Sequence, residues 1–331
     1  MKYSQKHILI FLGITLFIIL FTITNLFIEY NSSRKQTIND LQSILSQKTK
    51  TVDDFIEKQE DNFYKTYDEE LFKNFLRMSK DNPKYNQTKE KLYEKFNNSE
   101  AVVMGLINST GVFQIDKEGI LEGFDIKEYP EGVEYLADTS KEITYMILPH
   151  PKLDSFYILI IKKIFEDDGT FLGIFSYRVP NNELEALLNN ITEFEEIGEI
   201  YLINDDYFLI TRSKFLKKTN SGILTQIVNT LNAEQCVNNY LIPLKKGEEI
   251  NILEENVINY ITYRGEKVLG IHSVIKTPKW CLLIEVNEKD ISKKSFNELT
   301  LKYTIIFALI TLVLIILYYV IEKSFSSNKN R

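Results

Sequence analysis

Histidine, cysteine and tryptophan are scarce in this chain, at three, two and one among 331 residues, and the scarcity removes whole classes of chemistry. His7, His150 and His272 show no His-Glu-x-x-His spacing and have no cysteine at metal-ligand distance in sequence, so zinc catalysis has no ligand set. The 13 glycines form no Gly-x-Ser-x-Gly elbow and no Walker or dinucleotide pattern, which leaves hydrolase and nucleotide-dependent readings without residues. Acid clusters at Glu193, Glu195, Glu196 and Glu199, and at Asp205 and Asp206, lack the spacing of a calcium loop and read as solvated turns. The chain is therefore expected not to be an enzyme and to need no metal and no cofactor. Cys236 and Cys281 carry no framework spacing, and whether they pair is left open. Basic side chains are outnumbered 39 to 46, and a net charge of −7 argues against a nucleic-acid partner.

Alanine is absent before Ala101, so no small-residue cleavage site follows the apolar run at 8–28. That run is 21 residues long and a second, at 303–321, is 19 long; neither holds a charged side chain, and each is long enough to span a bilayer as a helix. Lys2 and Lys6 precede the first, while Lys323, Lys329 and Arg331 follow the second, which predicts both termini inside and residues 29–301 outside a cell membrane. The two ends with Lys302 carry six basic residues and one acid, leaving 33 basic and 45 acidic residues in that outer segment, a net −12. Such a surface stays soluble beside anionic lipid.

Between residues 30 and 98 there is no glycine and only Pro83, and apolar residues recur at helical spacing from Ile38 through Leu76. A long helix leaving the membrane is expected there. Lys48 and Gln59 interrupt its apolar seam, favouring packing on its own domain or a loose dimer over a strict coiled coil. Beyond Ala101 the pattern turns to strands at 102–107, 112–115, 142–148, 156–165 and 171–179, then a helix at 181–190. The order recurs with strands at 199–203 and 208–211, a helix at 222–231, and strands at 257–263, 268–275 and 280–286. The fold class is α+β: a long N-terminal helix and two tandem PAS-like antiparallel-sheet modules, flanked by two transmembrane helices. The expected divisions are a tail at 1–6, a span at 7–28, a helical segment at 29–100, a membrane-distal module at 101–195 and a membrane-proximal module at 196–290. A connecting helix at 291–302, a second span at 303–321 and a tail at 322–331 complete the chain.

The segment GEIYLINDDYFLITRSKFL at 198–216, followed by YITYRGEKVLGIHSVIKTPKWCLLIEVNEKD at 260–290, resembles the membrane-proximal half of double Cache domains, tandem PAS-like extracytoplasmic sensors of bacterial and archaeal receptors. GVFQIDKEG at 111–119 and FEDDGTFLGIFSYRV at 165–179 resemble the distal half. The resemblance implies a sensor that binds a small ligand in the distal module. Its amino-acid-binding version has an arginine and tryptophan close together and an aspartate in the strand after the Asp-Gly turn. Here residues 122–148 hold neither arginine nor tryptophan, and Arg178 stands where that aspartate would be. A guanidinium suits a carboxylate or phosphate and not an ammonium, so the expected ligand is small and anionic, and not a free α-amino acid.

Alternation puts Ile174, Ser176 and Arg178 on one face of their strand. The candidate ligand residues are Arg178, Ser176, Tyr129, Tyr135 and Tyr145; the alternative is that Arg178 pairs with a local acid such as Glu183. After Ile321 only ten residues remain, so signalling is expected through a separate membrane partner or a homodimer, with Thr22 and Asn25 against a partner helix. The rival readings are a ligand-free structural or adaptor ectodomain, or the sensor fragment of a truncated histidine kinase, cyclase or chemotaxis receptor.

Overall fold

The computed structural model describes residues 2–99, 103–137, 143–149, 156–179, 181–189, 198–216, 222–250 and 257–291, together with 303 and 305. One helix, α1 (Lys2–Thr66), runs without a break through the whole first apolar run and onward. The expected single helical segment then divides. Asp68 accepts from the Leu71 amide and starts α2 (Glu69–Leu76), and a turn containing Pro83 leads to α3 (Tyr85–Asn97). Among the described residues no helix is long and apolar enough to cross a membrane. The side chains of residues 1–19 lie outside them, as does all of the second run except Tyr303 and Ile305.

The first sheet contains β1 (Met104–Asn108), β2 (Phe113–Asp116), β3 (Thr144–Pro149), β4 (Phe156–Phe165) and β5 (Phe171–Val179), in the order β2-β1-β5-β4-β3 and antiparallel throughout. A 3-10 turn at Ile126–Glu128 and α4 (Pro130–Ala137) connect β2 to β3, and α5 (Asn181–Asn189) follows β5. The second sheet has the order β6-β9-β8-β7, from β6 (Gly198–Ile203), β7 (Ile258–Ile261), β8 (Lys267–Ile275) and β9 (Trp280–Asn287). Between β6 and β7 lie α6 (Leu231–Cys236), a π-helical turn (Val237–Leu241) and α7 (Ile242–Lys245).

Two expectations in this connection fail. The helix expected at 222–231 cannot form because Gly222 and Leu224 both adopt positive φ, so α6 starts only after Thr230, whose hydroxyl accepts from the Ala233 amide. The strand expected at 208–211 is reduced to single bridges, Ile203 with Leu209 and Phe208 with Ile227. Conversely, the two cysteines with no framework spacing are joined, Cys236 at the end of α6 to Cys281 on β9.

Helix α1 packs on both sheets through Leu41, Leu45, Val52, Phe55, Ile56 and Phe63, all buried in one core with Phe175, Leu202, Trp280 and Ile284. The two polar interruptions of its seam are also buried, each with a partner. Lys48 donates to the Leu187 carbonyl at the end of α5, and Gln59 accepts from the Tyr177 hydroxyl at 3.0 Å. Nearer the start of α1, Thr24 and Asn25 donate to carbonyls of their own helix, Leu20 and Phe21. The side chain of Thr22 lies outside the described residues.

Candidate functional site

The strand β5 has two faces with different tasks. Phe175, Tyr177 and Val179 enter the core beneath α1 and α2, whereas Ile174, Ser176 and Arg178 line a cavity on the other side of the first sheet. That cavity leaves about 50 Å³ for the centre of a water molecule to move in. A single water needs roughly 10–15 Å³ on the same measure, so the space takes a ligand several atoms across. Its walls are Met104, Ile107 and Phe113 from β1 and β2, Met146, Leu159 and Ile161 from β3 and β4, and Tyr129 and Tyr135 from the connection that folds over the sheet.

Of the five candidate residues, the structure brings Arg178, Ser176, Tyr129 and Tyr135 to this cavity and leaves Tyr145 out. Tyr145 is paired with Ile160, which is paired with Tyr177, and this row points to the helical layer. There the Tyr145 hydroxyl donates to Glu60 of α1 at 2.5 Å, and its ring meets Trp280 of the second sheet at 6.4 Å. It is Met146, one residue along β3, that reaches the cavity.

Two charged residues of the site were missed by reasoning along the chain. Asp116, at the end of β2, is almost wholly buried and lines the cavity. One carboxylate oxygen accepts from the Ile120 and Leu121 amides, at 2.8 and 3.1 Å, while the other, Oδ1, is buried with no hydrogen-bond partner. Burial raises its pKa above the usual carboxylate value, against the two amides that lower it. Asp116 stands opposite Gly105, which stands opposite Ser176, so the acid lies in the same cross-strand row as the serine, two residues from Arg178. Gly105 contributes no side chain, and the Phe113 ring lies where its Cβ would be. Lys163, the second missed charge, is buried beside the site with its ammonium 4.5 Å from the centre of the Tyr135 ring.

The cavity thus combines apolar walls with a carboxylate from β2 and a guanidinium from β5. Such a lining suits a small molecule with an apolar body and charged groups. Asp116 opens the turn Asp116-Lys117-Glu118-Gly119 that closes with the Gly119 amide on its carbonyl at 2.8 Å, so in the sequence it has the pattern of a turn residue.

Comparison with known proteins gives the setting. Residues 29–295 match the model of the Cache domain. No curated protein matches the chain. Among solved structures, the ligand-binding domain of Mlp24 with asparagine aligns over 81% of this chain and 98% of its own at 13% identity, with a TM-score of 0.53. The extracellular domain of rpHK1S-Z16, assigned as a histidine kinase, aligns over 78% and 97% at 9% identity with the same score. The ligand-binding domain of the Campylobacter jejuni chemoreceptor Tlp3 in complex with L-valine aligns over 80% and 98% at 15% identity, with a TM-score of 0.48. These findings overturn one expectation. Free α-amino acids are excluded on the ground that Arg178 replaces an aspartate, yet the Mlp24 domain, which shares the fold, is solved with asparagine. The exclusion considered one strand, whereas the fold brings the Asp116 carboxylate into the same cavity from another.

Proposed function

This chain belongs to the Cache domain family, and from that premise we propose that it is a membrane-anchored sensor whose first sheet receives a small extracytoplasmic ligand. Cache domains are sensory, ligand-binding modules and not catalytic ones. The observation that carries the reading is the shared cavity of Asp116 and Arg178. Arg178 is assigned to a carboxylate and Asp116, through its unpartnered oxygen, to an ammonium, with Ser176, Tyr129 and Tyr135 completing the polar surface. Free α-amino acids carry both groups on one carbon.

Thermal unfolding of the full chain in detergent tests this with asparagine and valine, propionate, and a simple primary amine. A ligand at one hundred times its Kd adds about 2.7 kcal/mol to stability. Amino acids are expected to raise Tm by several degrees, and the gain should vanish in Arg178→Ala and in Asp116→Asn. Stabilisation by propionate alone, retained in Asp116→Asn, would remove the acid from the site. No shift with any of the four would favour a structural or adaptor ectodomain.

Anchoring rests on the two apolar runs. Leu20, Phe21, Ile23, Phe27 and Ile28 of α1 are each more than half exposed, an apolar surface that water disfavours and lipid hydrocarbon accepts. Enzyme reporters fused after Asn190 and after Lys329 are expected to report opposite compartments, the first outside. Equal reports from both would mean that one run does not span.

A further inference from the structure

The second sheet contains a buried polar cluster with no part in the cavity above. Glu199 on β6 and Glu285 on β9 are direct cross-strand partners, and they are 2% and 1% exposed. Two carboxylates on neighbouring strands repel one another unless something compensates. A single cation does so: the Arg264 guanidinium, from the turn between β7 and β8, lies 3.7 Å from Glu199 and 4.0 Å from Glu285. It is shared further with Glu266 at 3.0 Å and stacks on Phe215 at 3.8 Å.

The two acids are solvated unequally by the protein. Glu199 accepts from the Ser213 hydroxyl and the Lys214 amide with one oxygen and from the Tyr263 hydroxyl with the other. Glu285 accepts from Tyr201 and Tyr260 with Oε1, at 2.5 and 2.6 Å, while Oε2 is buried with no hydrogen-bond partner. Gly270 on β8 makes this possible, because the Tyr260 hydroxyl occupies the space its Cβ would need. From α6, Asn232 donates to the Tyr260 hydroxyl at 3.2 Å, and its carbonyl oxygen meets His272 Nδ1 of β8 at 2.7 Å. Burial lowers the His272 pKa to about 4, so this ring brings no charge to the cluster near neutrality.

We propose that Glu199 and Glu285 form a proton-binding site, with the proton held on Glu285 Oε2 and released as the medium rises past neutrality, and that Arg264 follows the charge. The ligand is the proton itself, and the site is independent of the distal cavity. While Glu285 is protonated, the guanidinium faces one buried carboxylate, Glu199, and is shared with the more exposed Glu266. Proton loss adds a second buried negative charge, which draws Arg264 inward from Glu266 and shifts the turn it belongs to. Glu285 sits near the end of β9, the last strand before the second apolar run in the sequence.

Burial is the main cause that pushes the Glu285 pKa up to about 7, with the neighbouring Glu199 adding to it and Tyr201, Tyr260 and Arg264 opposing. An unfolded glutamate releases its proton near 4.5. The folded chain therefore binds more protons between these two values, and this contribution to stability is complete below the lower and lost as pH rises through the upper.

Infrared titration of the full chain in detergent reads the proton directly. The carbonyl stretch of a protonated carboxylic acid should disappear with a midpoint near pH 7, be absent in Glu285→Gln, and persist in Glu199→Gln and Asp116→Asn. Tm should fall on the order of 5 °C more in the parent chain than in Glu285→Gln between pH 5 and pH 8. The proposal is overturned if no such band titrates between pH 6 and 8 in the parent chain, or if the band survives Glu285→Gln. Loss of the band only in Glu199→Gln would place the proton on the other acid and overturn the assignment equally. Each of these outcomes leaves the amino-acid binding test untouched, since no distal residue contributes to the cluster.

Discussion

Replacing both Cys236 and Cys281 by serine is expected to cost about 4 kcal/mol, the loop-closure value for a bond spanning 45 residues. Both cysteines are fully buried in a separate core cluster with Tyr201, Val237, Leu241 and Leu283, so the bond ties the α6 connection to the inner strand β9. Thermal unfolding with and without a reductant checks it. The parent chain should lose on the order of 10 °C on reduction, the double variant should start at that lower value, and reductant should leave it unchanged. A parent Tm indifferent to reductant would show that the bond does not form. Its formation would also place this part of the chain in an oxidising compartment, in agreement with the extracytoplasmic assignment.

Phe175→Ala should be the most damaging single truncation of the distal module, at about 3–5 kcal/mol. Phe175 is fully buried, and its ring lies 4.8 Å from Phe72, 5.1 Å from Phe63, 5.9 Å from Tyr67 and 6.2 Å from Phe96. One ring therefore joins α1, α2 and α3 to the reverse side of the strand that carries Ser176 and Arg178. Denaturant unfolding should show the full loss in the alanine variant and a much smaller one in Phe175→Leu. A loss below about 1 kcal/mol in the alanine variant would mean that the surrounding rings close the gap.

Local pattern carried much of the fold into view. β4 and β5 were delimited to the residue, and alternation along β5 alone separated the cavity face from the core face. The same rule applied to β3 would have rejected Tyr145, but its use needed the register that places Tyr145 in the row of Ile160 and Tyr177. Asp116 and Arg178 are separated along the chain by α4 and two strands, and only the strand order β2-β1-β5 unites them. The cysteine pair was hidden for the same reason, its partners lying on elements 45 residues apart. Leu224 defeated the helix at 222–231 through a backbone angle that composition does not announce.

The unbroken run of α1 has a mechanical consequence. From Ile28, the end of the apolar run, to Thr66 the helix rises about 57 Å at 1.5 Å per residue. A rod of that length tilting about its base by one degree carries its far end through about 1 Å. Displacements at the first sheet too small to repack a side chain there thus correspond to rotations of only a degree or two at the other end. Amplitude is lost, not gained, on the way down; torsion about the rod's own axis is not reduced by its length, and twist is the motion that such a shaft transmits best.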